Sequence, residues 1–368
     1  MNKLITTVIA SSLFFSITTS AGFSVNGGKL YEGNGNEFIM RGINHPHAWF
    51  NSTLNNAFAG IASKGANTVR VVLSNGHRWE KTLATDVANI IQKAKDNKLI
   101  AVLEVHDTTG YGEDTSAATL ASAVNYWIEI KDVLIGQEDY IIINIGNEPF
   151  GNGVPKDLWI DEHKSAIISL RNAGLSHALM VDAANWGQDW QNIMRDNAAR
   201  VFNSDPDANI IFSVHMYEVY DNYDSVNNYM SAFNDNGLAL VVGEFAATHK
   251  QFDVDETAIM SLAESFGYGY IGWSWSGNDA TYGAIDIVNN WDVNSLTAWG
   301  SKLINDANGI SNTSKLATIY AGGTYPDCAS EVVDSDSDAF TAVPSGYSEE
   351  VTANTTVYKE CLFTDSFE

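Results

Sequence analysis

Eight short apolar runs alternate with amphipathic helical stretches along most of this chain, and this alternation limits the possible folds more than any other feature. Each run is rich in Val, Ile and aromatic residues, which is typical of parallel strands buried on both faces. The runs cover residues 37–45, 66–74, 99–107, 140–148, 177–185, 209–217, 238–246 and 270–278. Eight strands separated by helices predict an α/β fold, a (β/α)8 TIM barrel.

The connecting segments support this prediction. Residues 82–97 and 158–174 carry apolar residues at a spacing of three to four, and Asn97 and Gly174 are plausible helix ends. A doubly wound sheet is the rival fold, but it needs a glycine-rich phosphate loop after its first strand, and residues 42–50 do not form one.

The two ends of the chain differ from the barrel region. Residues 1–21 combine an early Lys, a short apolar core and small residues at 19–21, which predicts a removed signal peptide and a secreted, extracellular protein. A membrane anchor is the alternative for this segment. Residues 22–310 are then expected to form the barrel domain. Residues 311–368 are an acidic linker with a small C-terminal appendage, either a β-rich binding module or a simple tail.

The two cysteines, Cys328 and Cys361, both lie in that appendage. In an exported protein we expect them to form a disulfide, and two free thiols are the alternative. The formal net charge of −25 makes nucleic acid and anionic membrane surfaces poor partners, whereas neutral ligands fit it better. We expect a monomer with no cofactor, no metal and no membrane contact after signal removal.

Polar and aromatic residues collect at the ends of the predicted strands, where a barrel of this kind carries its chemistry. Two of them are carboxylates, Glu148 on the fourth run and Glu244 on the seventh, and these strands face each other across the barrel mouth. Glycoside hydrolysis needs such a pair flanking the scissile bond, one to protonate the leaving oxygen and one to attack or activate water. The alternative is two structural glutamates with satisfied partners.

Arg70, His215 and Tyr217 are candidates to support that pair. Arg70 donates hydrogen bonds only, and near Glu244 it would keep the carboxylate ionised; a barrel-interior salt bridge without a catalytic part is the alternative. His215 and Tyr217 point the same way on their strand, so Tyr217 is placed to bond the nucleophile. His106 is either a ligand contact or a core histidine.

Four tryptophans near strand ends, Trp49, Trp186, Trp273 and Trp275, suit a sugar ligand because indole planes pack on the apolar faces of sugar rings. Trp273 and Trp275 are expected to share one strand face, one lining the ligand and one packed deeper. For any single Trp, burial in the core is the alternative.

Together these residues resemble glycoside hydrolase family 5. The resemblance rests on IGNEPFG with Asn147 and Glu148, VGEF with Glu244, HMY with His215 and Tyr217, VRV with Arg70, and EVHD with His106. RGINHPHAWF, DAANWGQDW and GWSWSGN are similar, more narrowly, to the bacterial endo-β-1,4-mannanases of that family. The resemblance covers about residues 22–310.

This resemblance implies a retaining endo-β-1,4-mannanase acting on mannan, glucomannan or galactomannan. Glu148 would be the acid/base, Glu244 the nucleophile, and Asn147 would bond the sugar 2-hydroxyl. Arg70 and Tyr217 would tune Glu244, and His215 would lie beside Glu148. His45, His106 and Trp275 would line the cleft, with Trp275 as the platform under the central sugar.

Three other functions are alternatives. An endo-β-1,4-glucanase of the same family differs in the orientation of one hydroxyl group of its substrate. A metal-dependent amidohydrolase-type barrel is suggested by the His45-Pro46-His47 spacing, although a complete ligand set is missing. A non-catalytic carbohydrate-binding barrel would be expected to have lost one of the two carboxylates.

Overall fold

The computed structural model describes residues 22–320, 347–352 and 355–360. Eight parallel strands form a closed barrel in which the last strand pairs with both the first and the seventh. The strands are β1 Arg41–His45, β2 Thr68–Leu73, β3 Ile100–Val105, β4 Ile141–Asn144, β5 Leu179–Asp182, β6 Ile210–Met216, β7 Leu240–Phe245 and β8 Gly269–Gly272. Seven of them lie within the predicted runs, and β8 begins one residue before the eighth run, so the predicted fold is confirmed.

A helix follows each strand and covers the outside of the barrel. The helices are α1 Leu54–Ser63, α2 Ala84–Asp96, α3 Leu120–Glu129, α4 Lys156–Asn172, α5 Ile193–Phe202, α6 Tyr223–Asp235, α7 Glu256–Phe266 and α8 Ala298–Asn305, with short helices at His47–Phe50 and Ile310–Thr313. On α2, the buried residues Val87, Ile90, Ile91 and Ala94 show the expected spacing of three to four. None of the helices within the described ranges is long and apolar enough to cross a membrane.

The half of the barrel interior nearer the amino ends of the strands is apolar. Inward-facing side chains such as Val102, Met180 and Val241 form one cluster with Phe23 and Leu30 from the N-terminal segment. That segment contains the hairpin Ser24–Asn26 and Lys29–Tyr31, whose Leu30 is part of the cluster. Because side chains alternate along a strand, the next inward positions toward the carboxyl ends form a second layer, and this layer is polar.

The C-terminal part of the barrel unit extends further than the predicted boundary at residue 310. Ala317 is fully buried, and the carboxylate of Glu32 accepts hydrogen bonds from the backbone and hydroxyl groups of Thr318. Residues 311–320 therefore pack on the barrel. In the separate C-terminal unit, Tyr347–Thr352 and Thr355–Glu360 form an antiparallel pair. The proposed signal segment 1–21 and the proposed Cys328–Cys361 disulfide lie outside the described residues.

Candidate active site

An open cleft of about 780 Å³ lies at the carboxyl ends of the barrel strands. Eight of the residues predicted from the sequence line it, namely Trp49, His106, Asn147, Glu148, Trp186, Tyr217, Glu244 and Trp273. Others were not predicted, among them Asn152, Trp190, Glu218, His249 and Tyr282. The cleft combines carboxylates and amides at its floor with aromatic walls, as a site for a polyhydroxylated ligand requires.

Glu148 and Glu244 meet on the floor of the cleft, although 96 positions separate them in the sequence. One carboxylate oxygen of each, together with a ring nitrogen of His215, lie within 4.8 Å of one another. The β6–β7 register pairs His215 with Glu244, beside a strand irregularity at Val214. The side chain of Glu148 is 12% exposed and that of Glu244 is 5% exposed, so both reach the cleft from a largely desolvated floor.

Glu244 is held by two donors on its two oxygens. The guanidinium of Arg70 donates to Oε1 over 2.9 Å, and the hydroxyl of Tyr217 donates to Oε2 over 2.8 Å. Burial raises the pKa of Glu244, and the positive charges of His215 and Arg70 oppose that rise. The two donors orient the carboxylate and favour its ionised form.

Arg70 is fully buried beneath the cleft floor and contacts the acidic groups rather than the cleft itself. Besides Glu244, its guanidinium donates to the side-chain oxygens of Asn44, Asn144 and Asn147 over 2.7–3.0 Å. Burial alone would lower its pKa, but the surrounding carboxylates raise it above its ordinary value. The arginine thus links Glu244 to Asn147.

His215 is the partner of Glu148. Its Nδ1 lies 2.7 Å from Oε1 of Glu148 and 3.6 Å from Oε2 of Glu244, and the ring is fully buried. Burial lowers the pKa of a histidine, but the charges of Glu244 and Asp182 and the hydrogen bond to Glu148 raise the pKa of His215 to about 9. His215 is therefore an imidazolium near neutral pH.

One aromatic wall of the cleft is built around His106. The centre of the His106 ring lies 5.9 Å from that of Trp273, in a stacked arrangement, and 5.1 Å from that of Trp49, in an edge-on arrangement. Its Nδ1 contacts Oε1 of the buried Glu104 over 2.9 Å. Burial acts to lower the pKa of His106, but the charge of Glu104, the hydrogen bond to it and the charge of Glu244 together raise the pKa above its ordinary value. This histidine places a polar ring among aromatic faces.

A second part of the wall joins three loops. The indole N–H of Trp186 donates to Glu113 over 2.8 Å, and that of Trp190 donates to the side-chain oxygen of Asn152 over 2.7 Å. The backbone N–H of Asn152 also donates to Glu113. The loops after β3, β4 and β5 are therefore connected at the cleft. Trp190 lies in the NWGQDW stretch, which the sequence analysis had singled out, whereas no sequence motif pointed to Glu113.

Two predicted positions are wrong. Trp275 is only 1% exposed and does not line the cleft. It packs so closely against Gly60 of α1 that a Cβ added to Gly60 would lie 2.6 Å from the Trp275 ring. Trp273 occupies the cleft wall instead. The prediction assumed strand alternation through residue 275, but β8 ends at Gly272. The Trp273–Ser274 peptide bond is cis.

The prediction that His45 lines the cleft is also wrong. It is fully buried and packs edge-on against Phe58 and Trp291, so it does not line the cleft. Its ring lies 5.7 Å from that of His47, and burial lowers the pKa of His45 to about 3. Neither ring nitrogen of His45 has a hydrogen-bond partner among the described residues. It is a neutral core histidine.

Within the described residues, the group with the donors to hold a metal ion is Glu148, His215 and Glu244. His215 is already engaged with both carboxylates, and its raised pKa favours a proton on the nitrogen that a metal would need. The donor set therefore fits proton transfer better than metal binding.

Comparison with known proteins adds independent evidence. The profile of the family described as Cellulase (glycosyl hydrolase family 5) matches residues 31–279. The chain is 62% identical over 307 residues to a mannan endo-1,4-beta-mannosidase of Cellvibrio japonicus, a match that covers 83% of this chain and 71% of that protein. It is 54% identical over 305 residues to the Streptomyces lividans protein of the same name, which covers 83% and 79% of the two chains.

A solved structure is similar as well. The structure described as the mannohexaose complex of Thermomonospora fusca beta-mannanase is 51% identical to this chain and superposes with a TM-score of 0.78. The match covers 82% of this chain and 99% of that chain.

Proposed function

This chain belongs to glycoside hydrolase family 5, as its motifs predicted, and from that premise we propose that it is a retaining endo-β-1,4-mannanase. It is a glycoside hydrolase, and two of its relatives carry the name mannan endo-1,4-beta-mannosidase. In the proposed reaction, Glu244 is the nucleophile and Glu148 is the acid/base. The observation that carries the proposal is the approach of their carboxylate oxygens to within 4.8 Å across the open cleft.

In the first step, an oxygen of Glu244 attacks the anomeric carbon as the glycosidic C–O bond breaks. Glu148 transfers its proton to the departing oxygen, so the leaving sugar departs as an alcohol. Arg70 and Tyr217 hold Glu244 ionised and aimed, as their contacts of 2.9 and 2.8 Å indicate. The negative charge that appears on Glu148 develops next to the His215 imidazolium.

In the second step, Glu148 takes a proton from water as that water attacks the anomeric carbon and the bond to Glu244 breaks. Two displacements at the same carbon restore its original configuration. A separation near 5 Å suits this route, because an inverting enzyme needs about 6.5–9.5 Å to place a water between its carboxyl groups. In this proposal Asn147, whose side-chain oxygen accepts from Arg70, bonds the sugar 2-hydroxyl.

The substrate is proposed from the relatives and from the form of the cleft. An open cleft lined by the two carboxylates and by aromatic side chains suits a neutral polysaccharide. We therefore assign β-mannan, glucomannan or galactomannan as substrates, and a cellulose-directed endoglucanase as the rival. Initial rates on mannan, glucomannan and carboxymethylcellulose test this assignment, and a strong preference for the cellulose derivative would refute it.

Chemical rescue tests the two carboxylate roles separately. With azide present, Glu148→Ala should form the β-glycosyl azide, because the covalent intermediate still forms and azide replaces water. Glu244→Ala should form the α-glycosyl azide, because azide then attacks in place of the missing nucleophile. Exchanged stereochemistry would reverse the roles, and full activity in either variant would refute the proposal.

We also propose that the protein acts outside the cell, in keeping with the signal-like residues 1–21. Expression of the full chain in a secreting bacterium, followed by N-terminal sequencing of the protein from the medium, tests this. A start near residue 22 is expected, and retention of the intact chain in the cell would contradict it.

A further inference from the structure

Asp182 is a buried carboxylate that has no role in the mechanism proposed above. It lies behind the acid/base residue, Glu148. It is the last residue of β5, and it is fully buried. The sequence carries no signal for Asp182, because a single acid inside an apolar run does not show which way its side chain points. A buried carboxylate is costly unless several donors compensate it, so its contacts show what it does.

Oδ2 of Asp182 faces three groups of the catalytic floor. It accepts the backbone N–H of Glu148 over 3.1 Å and a guanidinium N–H of Arg70 over 3.4 Å. It also lies 3.4 Å from Nε2 of His215. Its other oxygen, Oδ1, accepts from the amide of Asn144 over 2.9 Å. One carboxylate thus contacts both the acid/base residue and the two cations around it.

The contact with the Glu148 backbone has a conformational consequence. Glu148 has φ of +39°, a backbone conformation that residues with a side chain rarely adopt unless the surrounding structure holds them there. Its N–H is held by Asp182 and its carbonyl oxygen by the N–H of Gly110 over 3.0 Å. Bonds on both sides fix this turn, and the turn directs the Glu148 side chain toward Glu244.

The contact with His215 has an electrostatic consequence. The imidazole ring lies between two carboxylates, with Nδ1 at Glu148 and Nε2 at Asp182. Nδ1 is hydrogen-bonded to Glu148, whereas Nε2 makes no hydrogen bond among the described residues and lies within ion-pair distance of Oδ2 of Asp182. Two carboxylates that flank the ring favour the doubly protonated imidazolium. Asp182 keeps this positive charge beside Glu148, where it stabilises the carboxylate that remains after proton donation.

We infer that Asp182 is a positioning residue for the acid/base half of the reaction, acting through the backbone of Glu148 and the charge of His215. This inference rests on the proposed role of Glu148. Loss of Asp182 should impair proton donation to the leaving group more than it impairs nucleophilic attack.

Leaving-group dependence separates this role from a structural one. Asp182→Asn is compared with the intact enzyme on two aryl β-mannobiosides, one with 2,4-dinitrophenol and one with a poor phenol as leaving group. The parameter is kcat/KM, which reports the first displacement. Because general acid catalysis is worth about 10²–10⁴-fold, the variant should lose about 100-fold or more on the poor leaving group and only a few-fold on dinitrophenol, which needs no proton.

The matched control is Asp189→Asn, which removes another buried carboxylate, in the loop after β5. Asp189 accepts from the backbone N–H groups of Met194 and Arg195 and from the hydroxyl of Tyr229, and none of these contacts Glu148. Its loss should leave the ratio of the two kcat/KM values as in the intact enzyme. Equal losses on both substrates in Asp182→Asn would overturn the inference.

Two further measurements complete the test. If Glu148→Ala shows leaving-group dependence and folded Asp182→Asn does not, only the inference about Asp182 fails; if Glu148→Ala shows none, the proposed function fails. Should Asp182→Asn not fold, ¹⁵N NMR of the intact enzyme decides. An imidazolium at His215 at pH 7 supports the pairing with Asp182, and a neutral ring with a bare Nε2 refutes it.

Discussion

The hydroxyl of Tyr217 donates to Oε2 of Glu244 over 2.8 Å, from the end of strand β6 to strand β7. The opposite oxygen of the same carboxylate is occupied by Arg70. Glu244 therefore keeps one orientation before any substrate arrives. Preorganised donors of this kind lower the barrier because they require no rearrangement when the charge on the nucleophile changes.

Tyr217→Phe should lower kcat/KM by about ten- to a hundred-fold, since a hydrogen bond to a charged group is worth about 1.5–3 kcal/mol. Loss of this donor also disfavours the ionised carboxylate, so the pKa of Glu244 should rise. The acidic limb of the pH–activity profile should then move to higher pH. Steady-state rates between pH 4 and 9 check this. An unchanged acidic limb would contradict the role given to Tyr217.

Trp273 and Trp275 are a matched pair for mutation. They lie two positions apart in the sequence, but Trp273 lines the cleft and Trp275 is buried in the core. Trp275→Ala should lower the free energy of unfolding by about 3–5 kcal/mol, the usual cost of removing a large core aromatic. Trp273→Ala should mainly raise KM, because the aromatic wall loses a stacking face. Urea denaturation and kinetics on mannohexaose check both. The reverse pattern would mean that the two residues are wrongly placed.

Glu113 should control the affinity for long substrates. Glu113→Ala removes the acceptor of the Trp186 indole, and we expect KM for mannohexaose to rise by about three- to ten-fold while kcat changes little. Glu113→Gln is the matched control, because its amide oxygen still accepts that hydrogen bond, and it should behave like the intact enzyme. A fall in kcat without a rise in KM would contradict a role in binding.

The buried His45 and His47 should make the protein sensitive to acid. Burial lowers the pKa of His45 to about 3 and that of His47 to about 4. At pH values below 6.5 and above these lowered pKa values, the two histidines are protonated in the unfolded chain but neutral in the folded protein. The free energy of unfolding must therefore fall as the pH drops, by about 1.4 kcal/mol per pH unit for each histidine.

His45→Gln should remove about 1.4 kcal/mol per pH unit from that slope between pH 6 and 4. The exposed His77, replaced in the same way, is the control for the substitution itself. Urea denaturation at several pH values provides the measurement. A slope that His45→Gln does not alter would contradict the description of His45 as a buried neutral residue.

The barrel could be predicted because its information is local. Each strand is a continuous apolar run, and residues such as Glu148 and Glu244 are conspicuous because charged groups at the ends of such runs are costly. The positions of His45 and Trp275 could not be predicted, because they depend on where a strand ends and on what packs beside it. Gly60, which leaves space for Trp275, is far from it in the sequence.

The supporting residues were harder to find for the same reason. Asp182 acts through contacts with Glu148, Arg70 and His215, which come from three other strands or their ends, and no sequence spacing expresses such contacts. Glu113 lies in a polar loop, where a carboxylate is ordinary. Strand order determines which strand ends become neighbours, but side-chain packing determines which of their groups touch.

The most direct test of the account is the stereochemistry of the first product. Proton NMR during the earliest turnover of mannohexaose resolves the α and β signals of the new reducing end before they equilibrate. Carboxylates within 4.8 Å of each other predict that the β anomer appears first and the α anomer later, by mutarotation. Initial formation of the α anomer would show a single displacement and contradict the assignment of Glu244 as the nucleophile.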